Sequence, residues 1–208
     1  MDRSQLPAQP PRKLAARKTA LRDHVLAARR RIPPPDLGAA AQAIAEHLLA
    51  EPAVRRAATV AAYASVGREP GTSWLLEQLS AAGKRVIVPV LLPDLELDWA
   101  TYEGPASLAP AGRGLLEPVG LRLGVDAVAT ADVVVVPGLA ASSEGHRLGR
   151  GGGSYDRVLA RVPVGMFTCV LLYDGELGLD VPVEPHDRTV TAAVTPAGIV
   201  NLGDPRWG

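Results

Sequence analysis

The sequence predicts an α/β fold built on one open, mostly parallel β-sheet with helices on both faces. Residues 59–64 are predicted to form a strand, 72–82 a helix and 85–90 a second strand, an order that makes a βαβ unit because parallel strands need a long crossover. A second unit runs from the largely apolar segment 132–137, through a glycine-rich segment and a short helix, to a strand at 164–172. Nearly uninterrupted apolar strands are typical of parallel sheets buried on both faces. We therefore expect a Rossmann-like arrangement.

Helices are predicted at the start of the chain. Apolar residues recur at helical spacing from residue 12 to the residue before Pro33, and again from residue 37 to residue 48. Asp36 is the expected cap of the second helix, because a short acidic side chain can accept hydrogen bonds from the first free amides. For the same reason Thr72 is the expected cap of the helix at 72–82, and Gly83 its end.

The remaining elements complete one domain. Residues 95–102 indicate an edge strand, residues 156–161 the short helix of the second unit, and residues 187–194 a last strand. Residues 1–11 carry three prolines and few apolar side chains, which indicates a flexible tail. The length of 208 residues suits a single domain over residues 12–208.

Charge and composition exclude several classes of partner. Lys plus Arg number 22, as do Asp plus Glu, so no overall field draws the protein to nucleic acid or to an anionic membrane. No apolar run approaches the roughly 18 residues of a membrane span. The single cysteine, Cys169, cannot form an internal disulfide, and the start does not resemble a signal peptide. We expect a monomer in the cytoplasm.

The glycine-rich segment 145–157 follows the buried strand and opens a helix, which is where the sequence predicts an anion site. Glycines allow close approach of backbone amides to a ligand, and the start of a helix adds free amides with partial positive charge. Arg147 and Arg150 supply charged forks suited to phosphate oxygens, and Asp156 supplies a hard oxygen for magnesium. Together they suit a nucleoside triphosphate.

A surface loop with solvated arginines and a helix-capping Asp156 is the alternative interpretation of the same residues. The segment lacks the Gly-Lys-Ser or Gly-Lys-Thr ending of the common phosphate loop. Its pattern of Gly149, Gly151 and Ser154 also departs from the dinucleotide fingerprint at the last glycine. The residues alone thus indicate phosphate without indicating a reaction.

Four residues elsewhere in the sequence are candidates for ligand binding, and each also has an ordinary role that needs no ligand. Lys18 and Arg22 lie four apart on a predicted helix and can converge on one anion, although such basic faces are often only solvated. Glu69 follows a strand at the end of the sheet where open α/β folds bind ligands. Asp187 lies in a turn, where aspartate commonly bonds its own backbone. His146 and His186 lack partners at zinc spacing.

Residues 147–157, with the sequence RLGRGGGSYDR, closely resemble the signature of the 5-formyltetrahydrofolate cyclo-ligase family. Further elements of the resemblance occur in order along the chain: Lys18-x-x-x-Arg22, Tyr63-x-x-x-x-x-Glu69-x-x-Thr72, Glu117-Pro118, Val136-Pro137-Gly138, and Val181-Pro182-Val183-Glu184-Pro185-His186-Asp187. There are two departures. Ser154-Tyr155 stand where the family usually has two aromatic residues, and Thr191 stands where many relatives have an acid.

The resemblance implies an ATP- and Mg²⁺-dependent enzyme that converts 5-formyltetrahydrofolate to 5,10-methenyltetrahydrofolate, ADP and phosphate. Arg150 and Arg147 are the implied catalytic residues, and Asp156 and Asp187 the implied metal ligands. The implied ATP contacts are Lys18, Arg22, Arg147, Leu148, Gly149, Arg150, Gly151, Gly152, Gly153, Ser154 and Tyr155. The implied folate contacts are Ala64, Glu69, Arg150, Gly151, Gly152, Gly153 and Ser154.

Two other functions use the same residues. A relative that binds ATP or folate without turnover would keep the anion site, although the retention of Glu69, Arg150 and Asp156 together argues against it. Another ATP-using ligase on the same fold would keep the phosphate side and change the substrate side, and Ser154 leaves this possibility open.

Overall fold

The computed structural model describes residues 11–203, so the predicted tail lies, apart from Pro11, outside the described residues. Within this range the helices are α1 (Pro11–Arg31), α2 (Pro34–Ala50), α3 (Pro52–Arg56), α4 (Ser73–Ala81) and α5 (Ser154–Arg161). The strands are β1 (Thr59–Ala61), β2 (Arg85–Leu91), β3 (Leu97–Thr101), β4 (Leu108–Pro110), β5 (Leu116–Pro118), β6 (Val133–Pro137), β7 (Ala140–Ala141), β8 (Arg147–Leu148), β9 (Phe167–Leu171), β10 (Ala192–Thr195) and β11 (Gly198–Asn201).

The central sheet is mostly parallel. In the described part of the chain it has seven strands in the order β11-β10-β9-β6-β1-β2-β3. The neighbours from β10 to β2 pair in parallel, and the edge strands β11 and β3 pair antiparallel. Both predicted βαβ units are present, one as β1-α4-β2 and the other as β6-α5-β9. The predicted fold class is confirmed.

Successive side chains along each strand point to opposite faces of the sheet, so the core is divided into two layers, one on each face. On one face, residues such as Val60 and Val133 share a core with α2 and α4. On the other face their neighbours Ala61 and Val134 share a core with α5 and with a 3₁₀ helix at Val125–Thr130. Helices therefore cover both faces, which explains why the parallel strands are apolar throughout.

The order of the parallel strands fixes where a ligand can bind. The chain passes from β1 outward to β2, then returns to β6 on the opposite side of β1. Crossovers on the two sides of β1 run in opposite directions, so a crevice opens beyond the carboxyl ends of β1 and β6. Open α/β sheets bind ligands at this topological switch point.

Of the two predicted helix caps, Asp36 is wrong, while Thr72 is confirmed as the N-cap position but makes no side-chain cap hydrogen bond. The N-cap of α2 is Pro33, and Asp36 lies inside the first turn. Thr72 does precede α4, but its hydroxyl donates to the Tyr63 carbonyl at 2.6 Å and accepts from the Ser65 amide at 2.9 Å. A buried threonine beside a strand end can satisfy its hydroxyl there, and this geometry leaves no cap hydrogen bond.

Other boundaries shift by a few residues. The short helix begins at Ser154, earlier than predicted, and the strand predicted at 187–194 forms only at Ala192–Thr195. The hairpins β4-β5 and β7-β8 and the edge strand β11 were not predicted, because two to four residues carry too little periodicity. Of the helices in residues 11–203, none has the length and apolar character needed to cross a membrane.

Candidate functional site

A cavity of about 470 Å³ opens at the topological switch point. Its base is lined by Tyr63 and Ala64 after β1, by Pro137 at the end of β6 and by Gly138 directly after it. One wall is formed by α1 and by the glycine loop, defined here as residues 149–153. The other wall comes from β2, β3 and the β4-β5 hairpin. This volume lies within the range of small-molecule sites.

Every predicted site residue lines this cavity. They come from four separate parts of the chain: Lys18, Arg22, Ala64, Glu69, Arg147, Leu148, Gly149, Arg150, Gly151, Gly152, Gly153, Ser154, Tyr155, Asp156 and Asp187. The fold thus brings the predicted set together in one place, while the ligand assigned to each residue stays a prediction.

The glycine loop depends on backbone conformations that favour glycine. Gly151 and Gly153 have φ values of +102° and +71°, in the region that side chains disfavour. Gly153 is the left-handed N-cap residue of α5. A β-carbon at Gly151 would lie 3.5 Å from the guanidinium carbon of Arg22. The loop can therefore pass close to a cation from α1 and lead directly into the start of a helix.

Arg147 is a buried cation paired with Asp156. Its residue is 6% exposed, and its guanidinium lies 5.8 Å from the centre of the Tyr155 ring. Nη2 lies 3.0 Å from Asp156 Oδ1 as an ion pair, yet neither Nε nor Nη2 has a hydrogen-bond partner among the described residues. Burial lowers the pKa of Arg147, against the opposing attraction of Asp156. Arg147 therefore places a buried positive charge, balanced in part by Asp156, beside the glycine loop.

Arg150 and Glu69 form an ion pair across the cavity mouth. Arg150 Nε lies 3.1 Å from Glu69 Oε1, with the side chains 58% and 9% exposed. The second carboxylate oxygen of Glu69 accepts a hydrogen bond from the Val66 amide at 3.0 Å. Glu69 is therefore fixed by its own turn, whereas Arg150 is exposed and can turn toward a ligand.

Lys18 and Arg22 face the cavity from α1, as their spacing predicts. Lys18 Nζ lies 2.7 Å from Glu184 Oε2 and 2.6 Å from Asp187 Oδ2. Arg22 Nε donates to the Gly149 carbonyl at 2.9 Å. Both cations thus contact the loops that surround the predicted phosphate position.

A group of possible metal ligands contains only one of the two predicted acids. Glu184, His186 and Asp187 each place a ligand atom within 4.8 Å of the others. Asp156 lies outside this group: its Oδ1 contacts Arg147 and accepts from the Arg188 amide at 3.2 Å. Although burial favours the neutral acid, hydrogen bonds from Lys18 and the Glu184 amide hold the pKa of Asp187 below its ordinary value.

Several cavity residues were missed by the sequence reasoning. Glu184 and Tyr63 both stand in quoted motifs but were given no role. Glu117 also stands in a motif, and its carboxylate accepts from the Leu91 amide at 2.9 Å. Arg113 lies in a short turn of the β4-β5 hairpin with a φ of +60°, and nothing in its local sequence indicated a site.

The two departures from the family pattern differ in their positions. Ser154 is the first residue of α5 and lines the cavity. Thr191 exchanges hydrogen bonds with Thr168: its hydroxyl accepts from the Thr168 amide at 2.9 Å, and its amide donates to the Thr168 hydroxyl at 3.0 Å. Thr191 therefore links β9 to the segment before β10.

Fold and cavity define the protein as an α/β protein with a ligand-sized cavity and a glycine-rich loop at its topological switch point. The model of the 5-formyltetrahydrofolate cyclo-ligase family matches residues 14–196. The chain belongs to this family and is an enzyme of the ligase class.

Relatives and solved structures agree with this assignment. The chain is 42% identical over 150 residues to a 5-formyltetrahydrofolate cyclo-ligase of Mycolicibacterium smegmatis, covering 69% of this chain and 77% of the relative. It is 34% identical over 179 residues to that of Escherichia coli K12, covering 82% and 96%. The structure of Aquifex aeolicus 5,10-methenyltetrahydrofolate synthetase matches with a TM-score of 0.76 at 28% identity, covering 92% and 95%. A Mycoplasma pneumoniae synthetase, with a TM-score of 0.69 at 20% identity and coverage of 86% and 98%, matches in fold.

Proposed function

We propose that the enzyme cyclises 5-formyltetrahydrofolate to 5,10-methenyltetrahydrofolate and consumes ATP, with release of ADP and phosphate. The observation that carries the proposal is the set of donors in one cavity, where the glycine loop leads into the start of α5 and the side chains of Lys18, Arg22 and Arg147 surround it. These donors suit phosphate oxygens. The family to which the chain belongs supplies the folate as the second ligand.

The phosphates of ATP lie, in this proposal, against the glycine loop and the start of α5. The loop amides and the helix start attract negative charge. Lys18, Arg22 and Arg147 surround this position from α1 and β8. Positioning and positive charge are the main demands of phosphoryl transfer, and these groups supply both.

The folate lies on the Glu69 side of the cavity. A carboxylate there can accept hydrogen bonds from the amino and ring N–H groups of a pterin. Ala64 leaves space at the end of β1 for a flat ring. Arg150 stands between the two ligands, since it contacts Glu69 while its neighbours belong to the glycine loop.

The chemistry proceeds in two displacements. The formyl oxygen attacks the γ-phosphorus, so an O–P bond forms while the bond from phosphorus to the β-phosphate oxygen breaks and ADP leaves. N10 then attacks the formyl carbon, phosphate departs with the C–O electron pair, and N10 loses its proton as the ring closes. Arg147 and Arg150 stabilise the transferring charge, and no protein nucleophile is required.

Magnesium fits the donor set of the cavity. Asp187 and Glu184 offer adjacent carboxylate oxygens, which are the ligands that hard cations prefer. Asp187 and Asp156 remain the proposed ligands, and we add Glu184 because of its distance to Asp187. Bound Mg²⁺ would neutralise charge on the ATP phosphates. Lys18 holds Asp187 in place, and Arg147 holds Asp156.

A turnover assay tests the proposal. Methenyl absorbance should rise with 5-formyltetrahydrofolate only when ATP and Mg²⁺ are present. A protein that binds both ligands without any rise would be a catalytically silent relative. ATP hydrolysis with other acceptors but not with this folate would indicate another ligase on the same fold.

A further inference from the structure

Helix α1 contributes two of the cations of the cavity, Lys18 and Arg22, from a stripe that is polar although it faces the protein. Lys18, Arg22, Val25 and Arg29 follow one another at steps of four, three and four residues, which places them on one face of the helix. In the described part of α1 the buried members are Lys18, Val25 and Arg29. Val25, with Leu21 and Leu26 beside it, packs on an apolar cluster. The buried polar contacts of Arg29 and Lys18 lie on either side of this apolar patch and add direction to it, because hydrogen bonds are directional and apolar contact is not.

Arg29 is the anchor at the other end of this stripe. It is 2% exposed, and its Nε and Nη2 each donate to one oxygen of Glu176 at 2.8 Å. Nη2 also donates to the Gly138 carbonyl at 2.7 Å, and the guanidinium lies 5.2 Å from the centre of the Tyr173 ring. Burial opposes the charge, but the hydrogen bond and the attraction of Glu176 outweigh it and raise the pKa of Arg29. The Arg29 guanidinium therefore keeps its proton in spite of its burial.

These contacts reach the base of the cavity and the side that carries Glu69, where the folate is proposed to bind. Gly138 lines the cavity directly after β6. Arg68 donates to the backbone carbonyls of Arg29, at 2.6 Å, and of Ile32. Arg68 precedes Glu69 in the same turn. The end of α1 is thus tied both to the switch point and to the turn that carries Glu69.

We propose that the Arg29–Glu176 pair is a positioning device that orients α1 so that Lys18 and Arg22 reach the phosphates of ATP. The proposal rests on the proposed function. Arg29 is seven residues from Arg22 and eleven from Lys18, about 10 and 16 Å along the helix axis at 1.5 Å per residue. Arg29 therefore acts through the helix and not by touching the ligand. A small rotation about this anchor would move both cations away from the glycine loop.

The double variant Arg29→Met/Glu176→Leu separates positioning from stability. Replacing a buried ion pair with apolar side chains of similar volume is often neutral for stability, whereas removing one partner leaves a buried charge. We expect only a moderate fall of the unfolding midpoint, because no buried charge is left unpaired although the Tyr173 amide loses Glu176 Oε2, its acceptor at 2.9 Å. ATP affinity by calorimetry should fall by up to about 100-fold, the loss that small misplacements of binding groups can cause. Folate affinity should change much less, because Arg68 still holds the turn of Glu69.

Amide exchange of the ligand-free protein tests the anchor without any ligand. In the double variant residues 15–31 should exchange faster while the central strands stay protected. Glu176→Gln, which keeps the Arg29 charge, should give a smaller change in the same direction. Asp180→Asn is the matched control, because it removes an exposed ion pair of the same helix, Arg17–Asp180 at 2.8 Å, and it should change neither exchange nor ATP affinity.

Three results would overturn the proposal. Wild-type ATP affinity and wild-type exchange of α1 in the double variant would show that the pair positions nothing. A lowered midpoint with equal loss of affinity for both ligands would make the pair purely structural. A wild-type protein that binds no ATP, while α1 still loosens in the double variant, would refute the proposed function and with it the link from anchor to ATP.

Discussion

Arg147 and Arg150 are three residues apart but differ in burial, and therefore in what a substitution at each position would test. Arg147 is buried against Asp156 and Tyr155, so its removal would leave a buried carboxylate and disturb the start of α5. The Arg150 side chain is more than half exposed and contacts only Glu69 among the described side chains. Arg150 itself packs into no core, and the Val66 amide still holds Glu69 when Arg150 is removed. Arg150 is therefore the better arginine to substitute in a test of catalysis.

Replacing Arg150 with alanine should lower kcat by roughly 10²- to 10³-fold, the loss seen when one preorganised donor to developing charge is removed. Lysine should restore activity only in part because it lacks a bidentate fork. Steady-state kinetics and thermal unfolding without ligands measure the two effects. The unfolding free energy should fall by about 1 kcal/mol, because the Glu69 carboxylate, 9% exposed, loses its ion-pair partner. Full kcat with only a raised KM would assign Arg150 to uniform binding.

Glu69→Gln should weaken folate binding far more than ATP binding. A pterin-facing carboxylate makes charge-assisted hydrogen bonds that contribute roughly 1.5 to 3 kcal/mol. Glutamine keeps an acceptor for the Val66 amide, so the turn should stay intact. Calorimetric titration with each ligand separately compares the two losses. Equal weakening of both would mean that Glu69 is structural.

Lys18→Met should have opposite effects on metal and nucleotide. The ammonium occupies one oxygen each of Glu184 and Asp187, so its removal leaves two adjacent carboxylates without a cation. Mn²⁺, which shares the oxygen ligands of magnesium, should bind the ATP-free variant more tightly, by about 5-fold or more. ATP affinity should fall.

Electron paramagnetic resonance of free Mn²⁺ measures this change, and Lys84→Met is its control. Lys84 donates to the carbonyls of Arg55 and Ala57 and does not line the cavity. An unaltered Mn²⁺ affinity in Lys18→Met would show that Lys18 does not occupy the cation position.

At the scale of elements, the start of α5 depends on Gly153. Its left-handed φ of +71° costs an alanine about 1 to 2 kcal/mol, and the added β-carbon would lie 3.4 Å from Arg157 Nη1. Gly153→Ala should lower stability by this amount and also weaken ATP binding, because the loop amides turn away from the phosphates.

Gly165→Ala is the matched control for the loop. Gly165 has a φ of +86°, and nothing lies within 4 Å of an added β-carbon. It stands outside the cavity, so chemical denaturation should show a similar destabilisation while calorimetry shows unchanged ATP affinity. If both variants lose ATP affinity equally, the loss follows from stability and not from the loop.

The sequence predicted elements whose signal is long or chemically distinct. β6 and β9 were found because parallel strands buried on both faces are apolar throughout, and the glycine loop because its residues combine backbone freedom with charge. The β4-β5 hairpin that carries Arg113 was missed, since its strands are three residues long. Glu184 was missed as a metal-ligand candidate because only the fold brings its oxygen close to Asp187 and Lys18.

At the scale of the whole molecule, the cavity joins distant parts of the chain. Lys18 lies on the first helix, Glu69 after the first strand, Arg147 beyond β6 and Asp187 before β10. These segments meet only in the folded state, so a ligand that contacts them all binds the native protein and not the unfolded chain. Ligand binding must then raise the free energy of unfolding of the whole domain.

ATP and Mg²⁺ should therefore stabilise the whole domain together. At an ATP concentration about 100 times its Kd, linkage adds about 2.7 kcal/mol. At roughly 2 to 4 °C per kcal/mol for a chain of this size, the unfolding midpoint should rise by about 5 to 10 °C. Excess chelator should reduce this shift and abolish turnover, because the acids beside Lys18 then face the phosphates without a divalent cation. Mg²⁺ alone should shift the midpoint little, since Lys18 already neutralises Glu184 and Asp187. A full ATP shift and undiminished turnover in chelator would refute the metal assignment.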